Sequence, residues 1–392
     1  MNPIKIKENI YRLGSIDWDR RMFDALIPLP DGTSYNAYLI KGSEKTALID
    51  TDEPSMKEEF MKQLEMIDHL DYVVSLHAEQ DHSGCIPFVL ERFPEARVVV
   101  SPKCKGMEMD LLHLPEEVFI TVEDGETLSL GDKTLRFVHT PWVHWPETMV
   151  AFLEEDKILF SCDFFGSHLA TSDLFVKDKI KVYEAAKRYY AEIMMPFRRI
   201  ISKNLEKVMA LNAELIAPSH GPIYRDPAMI IEAHKEWVDG PPKNLVVLPY
   251  ISMHESTRLM VEHLVGALID RGVEVMQFNL EVVDLGKLAI ALVDAATVVL
   301  ASPTVLGGPH PAAVYAAFLT NALRPKVRYL SIMGSYGWAD RTVPVISGLL
   351  KDIKAEIIEP VVTKGAPTGE TFRAIDRLAD AIAEKHRADG LQ

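Results

Sequence analysis

The chain has 392 residues, 48% of them apolar and 25% charged, with a formal net charge of −15. That length suits two ordinary domains, the composition is globular rather than disordered, and the acidic balance argues against nucleic-acid binding, which needs a cationic face to displace counterions from phosphates. Cys85, Cys104 and Cys162 are too few and too scattered for a disulfide framework or a thiolate zinc site, and no stretch reaches the ~20 apolar residues of a membrane span, so the expectation is a cytoplasmic protein with no membrane partner.

From residue 1 to about 160 the pattern is one of short strands punctuated by turns, with helices at 55–68 and 84–93. Tyr38–Ile40 and Ala47–Ile49 flank Gly42-Ser43. The runs Phe119–Val122, Thr127–Leu130 and Thr134–Val138, separated by Asp124-Gly125 and Gly131-Asp132, read as consecutive hairpins, as do Met149–Leu153 and Lys157–Phe160. The apolar run Tyr72–Leu76 reads as a buried strand. It ends in His77-Ala78-Glu79-Gln80-Asp81-His82, two imidazoles and two carboxylates in six residues, just before Ser83-Gly84 and an apolar helix. Imidazole nitrogen and carboxylate oxygen together suit iron, manganese or zinc.

Further candidates follow the same logic. His144 sits in the stiff stretch Thr140-Pro141-Trp142-Val143-His144-Trp145-Pro146, and Asp163 emerges from the strand Ile158–Cys162, where a carboxylate can bridge two metals. From about 179 a helical period places Val182, Ala185, Ala186, Tyr189, Tyr190 and Ile193 on one face until Met195-Pro196 interrupts it. A second helix runs to about Leu211, and the strand Leu215–Ala217 delivers Pro218-Ser219-His220-Gly221. His69, His113, His234, His263 and His386 lack such settings and read as ordinary.

Asp239-Gly240-Pro241-Pro242-Lys243 is the best linker, which divides the chain into 1–242 and 243–392. Beyond it, strands at 245–251, 273–279, 297–302, 327–333 and 355–362 alternate with helices at 256–271, 284–295, 311–323, 342–353 and 370–386, the pattern of a doubly wound parallel sheet. Ligands of such sheets bind outside the carboxyl ends of the strands. There lie Ser252, Met253, His254, Glu255, Ser256 and Thr257, able to offer hydroxyls and a helix N-terminus to a phosphate; Ser302, Pro303, Thr304, Val305, Leu306 and Gly307; and Ser335, Tyr336, Gly337 and Trp338, whose aromatics can stack on a flat ring. All three loops resemble the FMN-binding loops of flavodoxins. Glu255 is a departure, since a carboxylate beside a phosphate is unfavourable unless it points away or is protonated.

The series His77-x-Glu79-x-Asp81-His82, His144, Asp163, His220 resembles the metallo-β-lactamase fold superfamily. Its zinc hydrolases carry H-x-H-x-D-H in the first motif; Glu79 at the second position looks instead like the flavodiiron proteins and favours iron over zinc. The likeness extends to Thr140–Met149, Cys162–His168 and Pro218–Gly221, and with the second half covers nearly the whole chain. It implies an α/β chain, a metallo-β-lactamase-like αββα sandwich followed by a flavodoxin-like five-stranded parallel sheet, holding two Fe and FMN. One iron would take His77, Glu79 and His144, the other Asp81, His82 and His220, with Asp163 bridging; family members differ in whether the histidine at the His82 position reaches the metal. His168 and Tyr190 match positions near the open face.

The implied activity is reduction of O2 to water, with NO to N2O as the alternative, using electrons from rubredoxin or reduced coenzyme F420 in a head-to-tail homodimer or dimer of dimers. The competing readings are a zinc hydrolase of the glyoxalase II or lactamase kind and an electron carrier with a degenerate metal half.

Overall fold

The computed structural model describes residues 2–391 and falls into two compact units, Met1–Tyr190 with Phe197–Val238 and Ala191–Pro196 with Asp239–Gln392. The first unit packs two sheets face to face. One has seven strands in the spatial order Ile4–Lys7, Ile10–Asp17, Thr33–Lys41, Thr46–Ile49, Tyr72–Val74, Arg97–Val100, Phe119–Thr121. The other has five, in the order Thr127–Ser129, Thr134–His139, Met149–Leu153, Ile158–Cys162, Leu215–Pro218. Alternation along Thr33–Lys41 explains the layering: Tyr38 and Ile40 join Phe137, Ala151 and Phe160 between the sheets, while Ala37 and Leu39 face Phe60, Leu64, Ile86 and Val89 of the covering helices.

The first of the two consecutive hairpins expected over 119–138 is corrected here. Phe119–Thr121 pairs in parallel with Arg97–Val100 at the edge of the first sheet, whereas Thr127–Ser129 pairs with Thr134–His139 in the second. The Asp124-Gly125 turn, with φ of +87° at Gly125, therefore carries the chain from one sheet to the other. The helical turn Gln80–Ser83 also begins inside the six-residue loop, ahead of the helix Ile86–Arg92.

The end of Leu215–Pro218 is stitched to the first sheet by Asn36. Its backbone N–H donates to Ser219 O at 2.8 Å, its side-chain amide donates to Pro218 O at 2.9 Å and Gly221 O at 2.8 Å, and its Oδ1 accepts from Arg12 Nε at 2.9 Å. Tyr38 adds a hydroxyl donated to Pro218 O at 2.7 Å. These bonds fix the position of the segment that carries His220.

The second unit is a parallel sheet in the order Glu274–Asn279, Lys243–Tyr250, Ala295–Val305, Tyr329–Tyr336, with two short strands, Glu356–Ile357 and Val361–Lys364, sharing the far edge. The single strand expected over 355–362 is broken near Pro360, which has no N–H to give to the ladder. The third strand runs past 302 to Val305, turns through Leu306 and Gly307, at φ of +51° and +82°, and pairs back with Gly308–Pro309.

One carboxyl in the first unit has no ordinary reason to be buried. Glu108, on the helix Pro102–Leu112, is fully enclosed; its Oε1 accepts from the Ser75 hydroxyl and from Cys104 Sγ at 3.5 Å, and its Oε2 has no partner among the described residues. Burial pushes this carboxyl up from 4.5 to about 7. A group with a raised folded-state pKa stabilises most below its unfolded pKa and loses that contribution as pH rises through the folded one. The stability of the wild type relative to Glu108→Gln should therefore fall by up to about 1.4 kcal/mol per pH unit from roughly pH 4.5 to 7 and level off above, as urea unfolding at several pH values will read.

Candidate functional site

The parallel strands Thr46–Ile49 and Tyr72–Val74 of one sheet and Ile158–Cys162 and Leu215–Pro218 of the other run out toward the same edge of the sandwich, and the loops beyond them carry the candidate ligands. His77 and Asp163 are buried, as are Asp81, His82 and His220; Glu79 is nearly so, and His144 half-buried.

The Asp163 carboxylate divides the cluster in two. Its Oδ2 lies 3.5 Å from His77 Nε2 and 3.3 Å from His144 Nε2, and Glu79 Oε2 is 3.1 Å from both nitrogens. Its Oδ1 lies 3.1 Å from His82 Nε2 and 3.3 Å from His220 Nε2; Asp81 meets the same two rings at 3.3 and 3.2 Å. Both Asp81 oxygens, Asp163 Oδ1 and His82 Nε2 are buried without a hydrogen-bond partner among the described residues. Unsatisfied lone pairs at such a cost, converging from two sides of one carboxylate, fit a pair of cations.

The electrostatics agree. Burial alone pushes the imidazoles down, but Glu147 and Glu79 carry His77 up to about 10, and Asp163 and Asp81 carry His220 up to about 9. Burial likewise pushes the Asp163 carboxyl up, yet the rings of His82, His144 and His220 hold it well below the usual range. The pocket stabilises positive charge among its carboxylates.

Outer contacts orient the rings. His77 Nδ1 meets Glu147 Oε1 at 2.7 Å, an oxygen that also accepts from Ala78 N at 3.1 Å, and His220 Nδ1 donates to Ser34 O at 2.8 Å. Sequence reasoning missed Glu147, although it lies in the matched stretch Thr140–Met149; only the fold brings it behind His77.

His168 is near the site. Its Nδ1 meets Thr33 Oγ1 at 2.9 Å, its Nε2 has no partner among the described residues, and its ring centroid lies 4.9 Å from His220. Burial, with His220 adding to it, holds this ring well below the usual histidine range, which favours its neutral form. Tyr190 is corrected: its hydroxyl donates to Trp237 O at 3.3 Å and its ring packs on His234 and Trp237. The preceding residue, Tyr189, faces the site, with its ring 4.8 Å from His168 and its phenol toward Asp163. One helical residue is a 100° rotation, and the apolar period that includes both tyrosines does not choose between them. Phe23 and Tyr35 close the same wall, with ring centroids 5.1 Å from His168 and 5.7 Å from His220 respectively.

In the second unit a cleft of about 350 Å³ opens at the carboxyl ends of the strands, lined by Ser252, Met253, His254, Ser256, Thr257, Pro303, Thr304, Ser335, Tyr336, Gly337 and Trp338. Thr257 Oγ1 and Ser335 Oγ lie 3.1 Å apart at its floor, beside the start of the helix Ser256–Ile269. Hydroxyls, a helix N-terminus and an exposed indole at the rim fit a phosphorylated flat ring. Five candidates are not in the lining. Ser302 Oγ is spent on His310 N at 3.0 Å and Pro303 O at 2.9 Å, and Val305, Leu306 and Gly307 form the hairpin, with Leu306 almost wholly exposed. Glu255, at φ of +66°, is exposed and paired with Arg258, which removes the objection that its charge opposes a phosphate.

Among the described residues no helix is long and apolar enough to cross a membrane. Residues 33–221 match a family model described as ODP family beta lactamase. A nitric oxide reductase of Moorella thermoacetica is 36% identical over 398 aligned positions, covering 98% of each chain. The rubredoxin oxygen:oxidoreductase of Desulfovibrio gigas superposes with a TM-score of 0.95 at 29% identity, over 98% of this chain and 99% of that one. The flavodiiron protein of Giardia intestinalis does so with a TM-score of 0.88 at 28% identity, over 98% of both. Identity at this level along both units, on a fold that joins a β-lactamase-like sandwich to a flavodoxin-like sheet, means that the chain belongs to the flavodiiron protein family.

Proposed function

We propose that this chain is a cytoplasmic flavodiiron gas reductase that takes O2 to water, with NO to N2O as the alternative reaction of the same site. The names of the relatives divide between the two gases, one a nitric oxide reductase and one an oxygen:oxidoreductase. The observation that carries the reading is the Asp163 carboxylate, one oxygen turned to His77, Glu79 and His144 and the other to Asp81, His82 and His220. Those seven side chains would hold two Fe. FMN would lie in the cleft of the second unit, its phosphate near Thr257 and Ser335 and its ring near Tyr336 and Trp338. Bound there, the iron pair and the flavin supply stepwise electron transfer to a diatomic gas.

The chain's own residues do the rest. Glu147 and the Ser34 carbonyl fix the ring orientation of His77 and His220. Phe23, Tyr35 and Tyr189 wall the pocket with rings and keep bulk water from it. His168, neutral and with a free Nε2, is placed to hold or pass a proton, and the Tyr189 phenol, which burial and Asp163 keep protonated, is a donor at the same wall. The electron donor is rubredoxin or reduced coenzyme F420, and the working assembly a head-to-tail homodimer or a dimer of dimers.

Protein purified without oxygen should carry two iron ions and one flavin per chain, and after reduction it should be reoxidised catalytically by pulses of O2 or NO. Failure with both gases would overturn the reading, and active protein holding zinc and no iron would favour the zinc hydrolase instead.

Glu79 separates the two classes chemically, because a carboxylate there gives a harder donor set than the histidine of the zinc hydrolases. Glu79→His should shift the metal content toward zinc and lower gas reduction at least ~100-fold, the upper range for a damaged metal shell. Metal analysis and gas consumption check this, and retained iron with full activity would contradict it.

A further inference from the structure

Behind His82 lies a second group of polar side chains that the proposed reaction leaves unused. The ligand-type atoms of Asp50, His82 and Cys162 all lie within 4.8 Å of one another, and all three residues are buried. Asp50 is rigidly held: its Oδ1 accepts from Leu76 N at 2.8 Å and its Oδ2 from the Ser219 hydroxyl at 3.1 Å. The Cys162 thiol lies between the Asp50 carboxylate and the His82 ring and interacts with both. Its own backbone is tied down by Ser219 N, which donates to Cys162 O at 2.9 Å. Asp50 and Cys162 both sit in the left-handed region, at φ of +53° and +51°, an unusual conformation for residues with a Cβ and one that re-aims each side chain at its strand end.

His82 turns Nε2 toward Asp163 and Asp81, which leaves Nδ1 for the thiol. The three fully buried imidazoles of the site thus have outer partners of different strength. His77 has a carboxylate at 2.7 Å and His220 a backbone carbonyl at 2.8 Å, whereas His82 has a sulfur, a weak acceptor.

We propose that Cys162, backed by Asp50, is the positioning residue for His82, and that this soft partner makes His82 the most weakly anchored of the three imidazoles. The inference rests on the function proposed above, in which Asp81, His82 and His220 share one iron. It gives the ion on Asp81, His82 and His220 a soft hold at one imidazole, where the His77 ring of the other position is backed by a carboxylate, so that the second ion is the more readily released through His82.

The test compares Cys162→Ala and Cys162→Ser with wild type, all loaded anaerobically with ferrous iron. The readouts are iron per chain, release to a ferrous chelator and the Mössbauer spectrum. In Cys162→Ala one of two iron environments should change and its ion leave roughly tenfold faster, as loss of an outer partner predicts, while the other environment stays as it was. Cys162→Ser, which offers an oxygen acceptor, should hold that ion at least as well as wild type. If Cys162→Ala does not fold, Asp50→Asn, which weakens the group holding the thiol, must show the same selective loss. Equal release of both ions in the variants, or spectra and release unchanged from wild type, overturns the inference and leaves the proposed function standing. A wild type that takes up no iron overturns both.

Discussion

Three carboxylates and four imidazoles meeting at 3.1–3.5 Å in a largely buried pocket are the constraint on which the first unit depends. Taking Glu79, Asp81 and Asp163 out of water together is unfavourable by several kcal/mol per ion unless positive charge compensates them at close range. The imidazoles do so in part, which is why the carboxylates drive His77 and His220 upward against burial. The oxygens of Asp81 that no proton donor satisfies mark where that compensation is incomplete. A cation pair resolves both deficits at once, and the fold is arranged to keep them unresolved without it.

That arrangement comes from strand ends. A parallel pair must leave the sheet at the same edge, so Thr46–Ile49 beside Tyr72–Val74 and Ile158–Cys162 beside Leu215–Pro218 release their loops side by side. The two sheets are then locked at that edge by Asn36, whose four hydrogen bonds join Arg12 to the segment bearing His220. Behind the loops the inter-sheet core of Ile40, Phe137, Ala151 and Phe160 is apolar, so a ligand displaced into it loses its polar partners. Backbone precision of this kind is what a metal pair requires, because donors a fraction of an ångström out of place lose most of their affinity.

His77, Asp163 and His220 were legible in the sequence because they stand at the ends of apolar runs, which are strands whose ends converge, Glu79, Asp81 and His82 because they crowd into the loop after one such run, and His144 because proline and tryptophan stiffen its stretch. The alternation after the linker was legible for a similar reason: five long apolar runs and five helical periods leave few other arrangements. What escaped were features set by three-dimensional rotation or by pairing across the sandwich. Tyr189 and Tyr190 share a helical period, and only packing decides that Tyr190 goes to Trp237 and Tyr189 to the site. Asp124-Gly125 has the composition of a hairpin turn, yet the strands it joins belong to different sheets. Glu147 and Asp50 lie far from His77 and His82 in the chain, and although Asp50 directly follows the apolar run Ala47–Ile49, nothing local says which ring either of them supports.

Glu255 illustrates how a residue that violates a local rule is accommodated. A carboxylate at the mouth of a phosphate-type loop opposes an anion, but the left-handed backbone at Glu255 turns the side chain out to Arg258, which also reaches Glu262 at 2.7 Å. The charge is neutralised on the first turn of the helix Ser256–Ile269, so the helix N-terminus keeps its positive end free for a ligand. Thr257 and Ser335, whose hydroxyls already point at each other across the cleft floor, then supply neutral donors at no cost in repulsion. The two pockets differ in this respect: in the second the Glu255 charge is drawn away from the ligand side by Arg258, whereas in the first the Asp81 charge is left for a cation to meet.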